Sequence, residues 1–267
     1  MTKKPRIARD QSGLVLMLVL WTIALLALLG TQLVSAGRTE LRLVFAMRDA
    51  ALVRTAADGA VHEAIWRLAD GGAPHWPADR VPRLTRIGGV PVSVTIENLS
   101  GRLNPNTAPG DLIGAVLTHL GMEPSRALAQ GAAVFDWHMP GQLPSPGGAK
   151  LPAYRAAGLT YGPPGQPFEN DAEIGAVLGM TPDIAAALRP FLSVYNEGAI
   201  EPRFAAPILR LALEETGTNQ TAGQNSSETV EIVAVATGAH DASYSRRAVA
   251  RFRSGEPFQI LYWGTVE

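Results

Sequence analysis

The sequence contains no cysteine, and this absence removes several kinds of chemistry at once. A disulfide scaffold, a cysteine nucleophile and a thiolate metal site are all excluded. A basic excess is also missing, since 23 Lys and Arg residues stand against 24 Asp and Glu residues and the net charge is −1. Proteins that bind nucleic acid through its phosphates usually carry a clear positive excess, so this balance disfavours that function.

Catalytic motifs are absent as well. The sequence has no serine elbow, no phosphate-binding P-loop and no dinucleotide fingerprint. His62 and Glu63 begin like the helical zinc-protease motif, but Trp66 stands where that motif needs its second histidine. The five histidines are scattered along the chain. We therefore expect a protein that acts by binding and is not an enzyme.

What the chain does have is one long apolar run near its start. Residues 14–37 include no charged residue. A helix of that length covers roughly 36 Å, which is enough to cross a hydrocarbon core of about 30 Å. Four of the five charged residues before the run are basic, and this charge pattern predicts an N-terminus in the cytoplasm. The sequence thus predicts a single-pass transmembrane helix at residues 14–37, with the C-terminal part on the far side.

A cleaved secretory signal is the alternative interpretation of this run. Ser35, Ala36 and Gly37 have the small-x-small form of a signal-peptidase site. The apolar part of such a signal is usually only about 7–15 residues long, and the run here is longer. This alternative predicts an exported soluble protein whose mature chain starts near Gly37.

The helical pattern continues beyond the apolar run. Residues 38–68 contain no proline and are rich in Ala, Leu and Arg, which favour helices. Leu41, Phe45 and Leu52 recur at helical spacing and therefore share one face. The sequence predicts a stalk helix over residues 38–70, continuous with the apolar helix, that packs on its own globular part and on neighbouring helices.

The remaining sequence predicts strands at both ends of a helical segment. Residues 90–97 alternate between Val or Ile and other residues, which is typical of a half-buried strand. Further strands are predicted at 229–237, 244–253 and 258–264. We expect an α+β fold in which the long N-terminal helix packs on a small antiparallel sheet. That sheet would belong to an α/β part formed by residues 88–103 and 228–267, with a large helical subdomain inserted at residues 104–215.

The start of the chain resembles the type IV prepilin pattern, in which a basic leader ends in glycine and an apolar helix follows. In that family a prepilin peptidase cuts after the glycine, on the cytoplasmic side, and the new N-terminal amine is methylated. On this sequence the resemblance implies a leader of residues 1–13 and a cut between Gly13 and Leu14. The fifth mature position, usually Glu in the family, is Leu18 here.

In lacking this Glu, the chain is similar to one subfamily, the minor pseudopilin K of type II secretion systems (general secretion pathway protein K). Members of that subfamily start much like GLVLMLVLWTIALLALL, which this chain has from Gly13 onward. Four further stretches resemble the family's motifs in the same order. They are ENLSGRLNPNTAP at 97–109, VFDWHM at 134–139, YGPPGQPFENDAEI at 161–174 and LGMTPDIAAALRPFLSVY at 178–195.

The resemblance implies a minor pseudopilin at the tip of the periplasmic pseudopilus, which helps to initiate its assembly and the export of folded proteins across the outer membrane. The implied partners are other minor pseudopilins, the pseudopilus, the prepilin peptidase and the inner membrane, and no nucleic acid. We expect Leu18 to determine the tip position, because it offers no carboxylate to the amine of a subunit above it. We expect partner helices to pack near Leu41, Phe45 and Leu52.

The alternative function is a single-pass membrane protein that binds nucleic acid in DNA uptake. Two stretches, 103–129 and 168–188, are similar to helix-hairpin-helix units. In DNA-binding proteins such hairpins offer backbone N–H groups to phosphates, with basic residues nearby. Here the hairpin turns contain the acids Glu123 and Asp183 and no lysine, so compact helix packing is the favoured use of the motif.

Calcium is the one cofactor that the resemblance raises. Family members are associated with calcium near an acidic loop in the helical subdomain, and a calcium ion needs several carboxylate or carbonyl oxygens around it. This sequence keeps Asp136 but is depleted of acids afterwards, with Met139, Gly141 and Lys150 in the loop. Three more acids are nearby in sequence and are interpreted as helix-start residues: Glu169, Asp171 and Glu173. The sequence leaves a calcium site open and predicts no other cofactor.

Overall fold

The computed structural model describes residues 11–69, 75–218, 228–253 and 258–266. Within the first helix, only the backbone is described for residues 11, 12, 30 and 32–42. Residues 1–10 of the predicted leader and the side chain of Leu41 therefore lie outside the described part of the chain. The fold is α+β, as predicted, with one long helix, one antiparallel sheet and several shorter helices.

Helix α1 (Gln11–Ala69) is continuous over 59 residues and begins slightly before the start predicted from the sequence. Its C-terminal part packs on the sheet through a row of small and β-branched residues. The buried members of this row are Val53, Ala56, Ala57, Ala60, Val61, Ala64 and Ile65. Alanines at helical spacing let the sheet approach the helix backbone closely. In the part of the chain that the structure describes, no helix combines the length and apolarity that a membrane span requires.

The sheet has five antiparallel strands in the order β1-β2-β3-β4-β5. Their bounds are β1 Arg83–Ile87, β2 Val90–Asn98, β3 Glu228–Thr237, β4 Ser243–Phe252 and β5 Gln259–Gly264. The alternation in β2 directs Val92, Val94 and Ile96 into the core against α1. Ile96 pairs with Ile232, so the two central strands align their apolar residues on one face.

Strand β1 was not predicted from the sequence. Its five residues include two arginines and alternate between half-buried and exposed positions at the edge of the sheet. Gly88 and Gly89 connect it to β2 with positive φ angles of 57° and 84°. A two-residue hairpin turn of this kind requires positive φ at both central positions, which glycine adopts without strain. The Gly-Gly pair before an alternating segment was therefore the signal for this hairpin.

The helical insertion lies between the paired strands β2 and β3. Its helices are α2 Gly110–His119, α3 Pro124–His138, α4 Leu151–Ala156, α5 Pro182–Leu188 and α6 Pro207–Thr216, with short 3₁₀ helices at Leu99–Gly101, Asp171–Ala176 and Arg189–Phe191. The insertion has its own core, which includes Leu112, Val116, Tyr154, Leu188 and Leu209. Helix α4 was not predicted as a separate element from the sequence, because six residues with a proline give too little periodicity to detect.

Glycines bring α2 and α3 into backbone contact. A Cβ placed on Gly131 would overlap the carbonyl oxygen of Gly110 and lie 2.7 Å from the amide nitrogen of Gly114. A side chain at this crossing would have to displace backbone atoms, which cannot move as a flexible side chain can. The close crossing fits the interpretation of the first hairpin as a packing unit.

We expect Gly131→Ala to lower the free energy of unfolding by roughly 1–3 kcal/mol, because overpacking at a backbone contact forces the helices apart. Denaturant unfolding of the purified full-length chain in detergent measures this change. Gly175→Ala is the matched control, since its nearest neighbour would be the Cβ of Ala185 at 4.0 Å. Equal stability of the two variants would contradict the close contact between α2 and α3.

Candidate functional site

The N-terminal part of α1 is not covered by the rest of the chain. Leu14 and Leu18 are 69% and 60% exposed, and the apolar residues around them are equally open. A Cβ on Gly13 would meet no atom within 4 Å, so packing in this chain does not require glycine at that position. The structure thus places all three predicted residues on a free helix surface and brings none of them against a partner group.

Further along α1, an apolar surface extends beyond the edge of the sheet. Phe45 and Leu52 are 53% and 46% exposed, and they lie two helical turns apart on one face. The apolar α1 surface is defined here by Leu43, Val44, Phe45, Met47 and Leu52, all of which are exposed. Burial by the sheet begins only at Val53, so these side chains have no cover within the described part of the chain.

The apolar α1 surface lies on the N-terminal side of the contacts between α1 and the sheet. Asp49 Oδ2 lies 2.9 Å from His240 Nδ1 in the turn between β3 and β4. Farther along α1, Gly59 leaves room for Ile87 of β1, whose Cγ2 would be 2.9 Å from an added Cβ. The sheet therefore covers α1 only from about this level onward, and the side chains of residues 43–48 just before it are exposed.

A charged network joins the helical insertion to the sheet. Arg102, just after β2, donates to both carboxylate oxygens of Glu97 at 2.7 Å and lies 3.4 Å from Glu231 in β3. Arg247 in β4 donates to the other oxygen of Glu231 at 2.5 Å. These side chains are largely buried, and each charge has an opposite partner. The network fixes the first residues of the insertion against β3 and β4.

Two carboxyl groups at this junction have shifted pKa values of opposite sign. Burial opposes ionisation of Glu97, but hydrogen bonds and charge attraction from Arg102 and Arg80 outweigh it and lower the pKa of Glu97. For Asp171, burial is the largest effect, and it raises the pKa above its ordinary value. Asp171 Oδ1 accepts a hydrogen bond of 2.8 Å from the Val194 amide, while Arg247 and Arg102 partly offset the burial.

A cleft of about 650 Å³ opens beside this network, between the insertion and strands β4 and β5. Its walls include Arg102, Asp171, Glu231, Arg247 and Tyr262. The carboxylate of Glu231 is already paired with both arginines. The cleft therefore presents a set of compensated charges, and it gathers no nucleophile, base and oxyanion donors in the arrangement that a reaction would need.

The turn of the first hairpin does not offer free amides to a phosphate. The carboxylate of Glu123 accepts hydrogen bonds from the Ser125 and Arg126 amides at 3.0 and 2.9 Å at the start of α3. The hydrogen bond from the Ser125 hydroxyl, followed by those from the two amides, lowers the pKa of Glu123. An ionised carboxylate thus occupies the N–H groups that a phosphate would use, which disfavours nucleic-acid binding through this hairpin.

The loop after α3 contains a buried lysine. Lys150 is 4% exposed, and its Nζ donates to the carbonyl oxygens of Asp136 and Met139, both at 2.6 Å. The Asp136 carboxylate accepts from the Ser145 amide at 3.0 Å. Sequence reasoning noted Lys150 only as a departure from the family's acids, because the sequence could not show that its ammonium group turns inward.

The donor set around this loop does not fit a calcium ion. Two carbonyl oxygens that could bind a cation already accept from Lys150, and the loop at residues 139–150 contains no acid, which leaves Asp136 in the last turn of α3 as the acid beside it. The other predicted acids serve the backbone, since Glu173 accepts from the Asn170 amide at 3.1 Å and Asp171 accepts from Val194. Among the described residues, no group of three or more His, Asp or Glu side chains converges as a metal site would.

His62 and Glu63, which resemble the start of the zinc-protease motif, make hydrogen bonds that stabilise the fold. Glu63 accepts from Arg67 at 2.6 Å and from the Thr85 hydroxyl at 3.1 Å, which ties α1 to β1. His62 Nδ1 lies 2.8 Å from the Asp58 carbonyl within the helix. These contacts account for both residues without a metal.

The junction predicts opposite responses to pH at its two carboxyl groups. Because the pKa of Glu97 is lowered in the folded chain, its ion pairs stabilise the fold above the unfolded pKa and are lost as pH falls through the folded pKa. Glu97→Gln should therefore cost about 1–3 kcal/mol at pH 7 and reduce the loss of stability in acid. Asp171→Asn should have the opposite effect on the pH dependence. Because the pKa of Asp171 is raised in the folded chain, its ionisation lowers the stability of the fold as pH rises from the unfolded pKa through the folded pKa. The Asn variant should therefore lose less stability over that range. Denaturant unfolding from about pH 3 to pH 7 measures both variants, and parallel pH profiles would contradict these assignments.

Comparisons with known proteins agree with the motifs found in the sequence. Residues 95–197 match the family described as type II secretion system (T2SS), protein K. No curated protein matches the chain in sequence. The fold is similar to that of a chain in the crystal structure of the GspK-GspI-GspJ complex from the type 2 secretion system of enterotoxigenic Escherichia coli. That match has a TM-score of 0.60 at 14% identity and covers 86% of this chain and 99% of that chain. Such a low identity shows a shared fold alone.

The matched residues include all four internal motifs, 97–109, 134–139, 161–174 and 178–195. The match gives no support to the nucleic-acid alternative, because protein K is a component of a secretion system. The sequence match of residues 95–197 and the similar fold together confirm that the chain resembles the minor pseudopilin K of type II secretion systems.

Proposed function

We propose that this chain is the minor pseudopilin K of a type II secretion system. It acts at the tip of the pseudopilus and helps to initiate its assembly, and so the export of folded proteins across the outer membrane. The match of residues 95–197 to protein K carries this proposal. The solved complex of similar fold contains GspK with GspI and GspJ, so the proposed partners are minor pseudopilins of those two kinds.

The apolar α1 surface supports a function in binding. Complete burial of one large aliphatic or aromatic side chain contributes about 1.5–3 kcal/mol. Phe45 and Leu52, which are about half exposed on one face of α1, could therefore contribute to a helical interface. Leu41 lies four residues before Phe45, so helical spacing extends the same face toward the N-terminus.

The proposed location is the inner membrane, with the N-terminus in the cytoplasm and the globular part in the periplasm. The uncharged residues 14–37 support a single span, and the basic residues before them support this orientation. Prepilin peptidase is the proposed processing enzyme, with cleavage between Gly13 and Leu14. The free space around Gly13 supports a role in recognition by the peptidase, because packing within this chain does not need the glycine.

Leu18 supports a position at the tip. A charged amine in hydrocarbon costs several kcal/mol unless a carboxylate compensates it. A subunit with Leu18 cannot offer that carboxylate to a subunit above, but its own Leu14 amine can pair with the Glu of a subunit below. The helical insertion supports the same position, since a bulky domain caps a thin fibre more readily than it repeats along one.

Processing at Gly13 can be tested directly by mass spectrometry of the membrane-extracted protein. The proposal predicts a mature chain that starts at Leu14, with or without a methyl group. Gly13→Val should block this cleavage, because a branched side chain replaces the glycine that precedes the cut in the prepilin pattern. The periplasmic fold should be unchanged, since a Cβ there meets nothing within 4 Å.

Gly37→Val is the control for that experiment, because it alters the small-x-small site of the secretory-signal alternative and leaves Gly13 intact. The proposal predicts normal cleavage of the Gly37 variant. A mature N-terminus near residue 38, or normal cleavage of the Gly13 variant, would overturn prepilin processing.

The partner surface can be tested by co-purification of the detergent-solubilised chain with the minor pseudopilins of the same system. Phe45→Glu combined with Leu52→Glu should weaken the complex at least about 100-fold, because each change places a charge in an apolar interface. The control is Leu84→Glu in β1, which removes a side chain that is 84% exposed on the sheet edge. If both variants bind equally well, the apolar α1 surface is not the interface.

A further inference from the structure

The buried ammonium of Lys150 occupies an unusual place in the helical insertion. It lies at the C-terminal end of α3, where helix carbonyl groups carry partial negative charge. Its two acceptors, the carbonyl oxygens of Asp136 and Met139, belong to the helix end and to the first residue after it. Lys150 itself is the residue just before α4. One side chain thus connects the end of α3 to the start of α4 across the loop.

Backbone carbonyl oxygens that converge on a buried positive charge are the same ligand type that hard metal ions use. A buried ammonium group is costly unless acceptors satisfy its donors, and these two short contacts satisfy two of its three donors. Asp136, in the last turn of α3, accepts through its carboxylate from the Ser145 amide of the loop. Two backbone carbonyl oxygens therefore converge on the position at which the chain supplies its own charge.

We propose that Lys150 is a built-in cation, which replaces a divalent metal ion as the link between α3 and α4 and makes the helical insertion independent of calcium. This inference goes beyond the proposed function, because it concerns how the insertion is stabilised and does not depend on which partner the chain binds. It rests on the inward position of the ammonium group and on its two carbonyl acceptors.

The test is thermal unfolding of the purified full-length chain in detergent, in chelator and in millimolar calcium. The unaltered chain should have the same Tm in both conditions. Lys150→Met keeps the apolar stem but removes the charge and leaves two buried carbonyls without donors, so its Tm should fall by roughly 4 °C or more. Arg155→Met is the matched control, because it removes an exposed cation from α4 of the same loop region.

Lys150→Glu tests whether the position is a cation site and not only a helix cap. A glutamate stem is shorter than a lysine stem, and a calcium ion bound about 2.4 Å from its carboxylate would lie near the former ammonium position. This variant should be destabilised in chelator and regain several degrees of Tm in calcium, with magnesium less effective. Recovery shows that the metal and the ammonium are interchangeable there.

Three results would overturn the proposal. They are a Tm increase in the unaltered chain on addition of calcium, equal Tm values for Lys150→Met and Arg155→Met, and a Lys150→Glu variant whose Tm is the same in calcium and in chelator. The first would mean that a metal site exists beside the lysine. The second and third would mean that Lys150 does not act as a substitute for a cation.

Discussion

The pairing of β2 with β3 is the contact on which the rest of the structure depends. It brings together two strands that are separated in sequence by the whole helical insertion, and it aligns Ile96 with Ile232 on the face that receives α1. Glu97 and Glu231 are partners in the same register, and both bind Arg102 at the start of the insertion. One pairing therefore builds the surface on which α1 packs and also fixes the base of the inserted helices.

This arrangement divides α1 into two parts with different physical requirements. From Val53 onward, small residues give a surface that fits the sheet, and burial in the chain itself satisfies it. Before that residue, the apolar side chains described at 14–29 and 43–52 are exposed, among them Leu14, Phe45 and Leu52. The same helix thus stabilises the fold at one end and exposes apolar side chains in the described parts of the other.

The parts of the fold that the sequence predicted are those with a long or regular signal. The continuous α1 and the alternation in β2 extend over many residues, and tertiary contacts only confirm what the local pattern indicates. The edge strand β1 and the six-residue α4 were missed because each depends on neighbours, a glycine turn in one case and the loop around Lys150 in the other. Long-range contacts such as Arg102 to Glu231 have no sequence signal at all, since residue spacing does not reveal which charges meet.

The loop at residues 139–150, which ends at Lys150, differs in its chemistry from what the family resemblance implies. The motif that includes Asp136 belongs to the matched family segment, yet the loop after it, residues 139–150, contains a buried lysine and no acid. Without Lys150, the carbonyl oxygens of Asp136 and Met139 would lose this donor at the end of α3. An ammonium group supplies one positive charge and up to three donors, and it remains attached to the chain whatever the surrounding solution contains. In the proposed arrangement, this covalent attachment links α3 to α4 without an ion from solution.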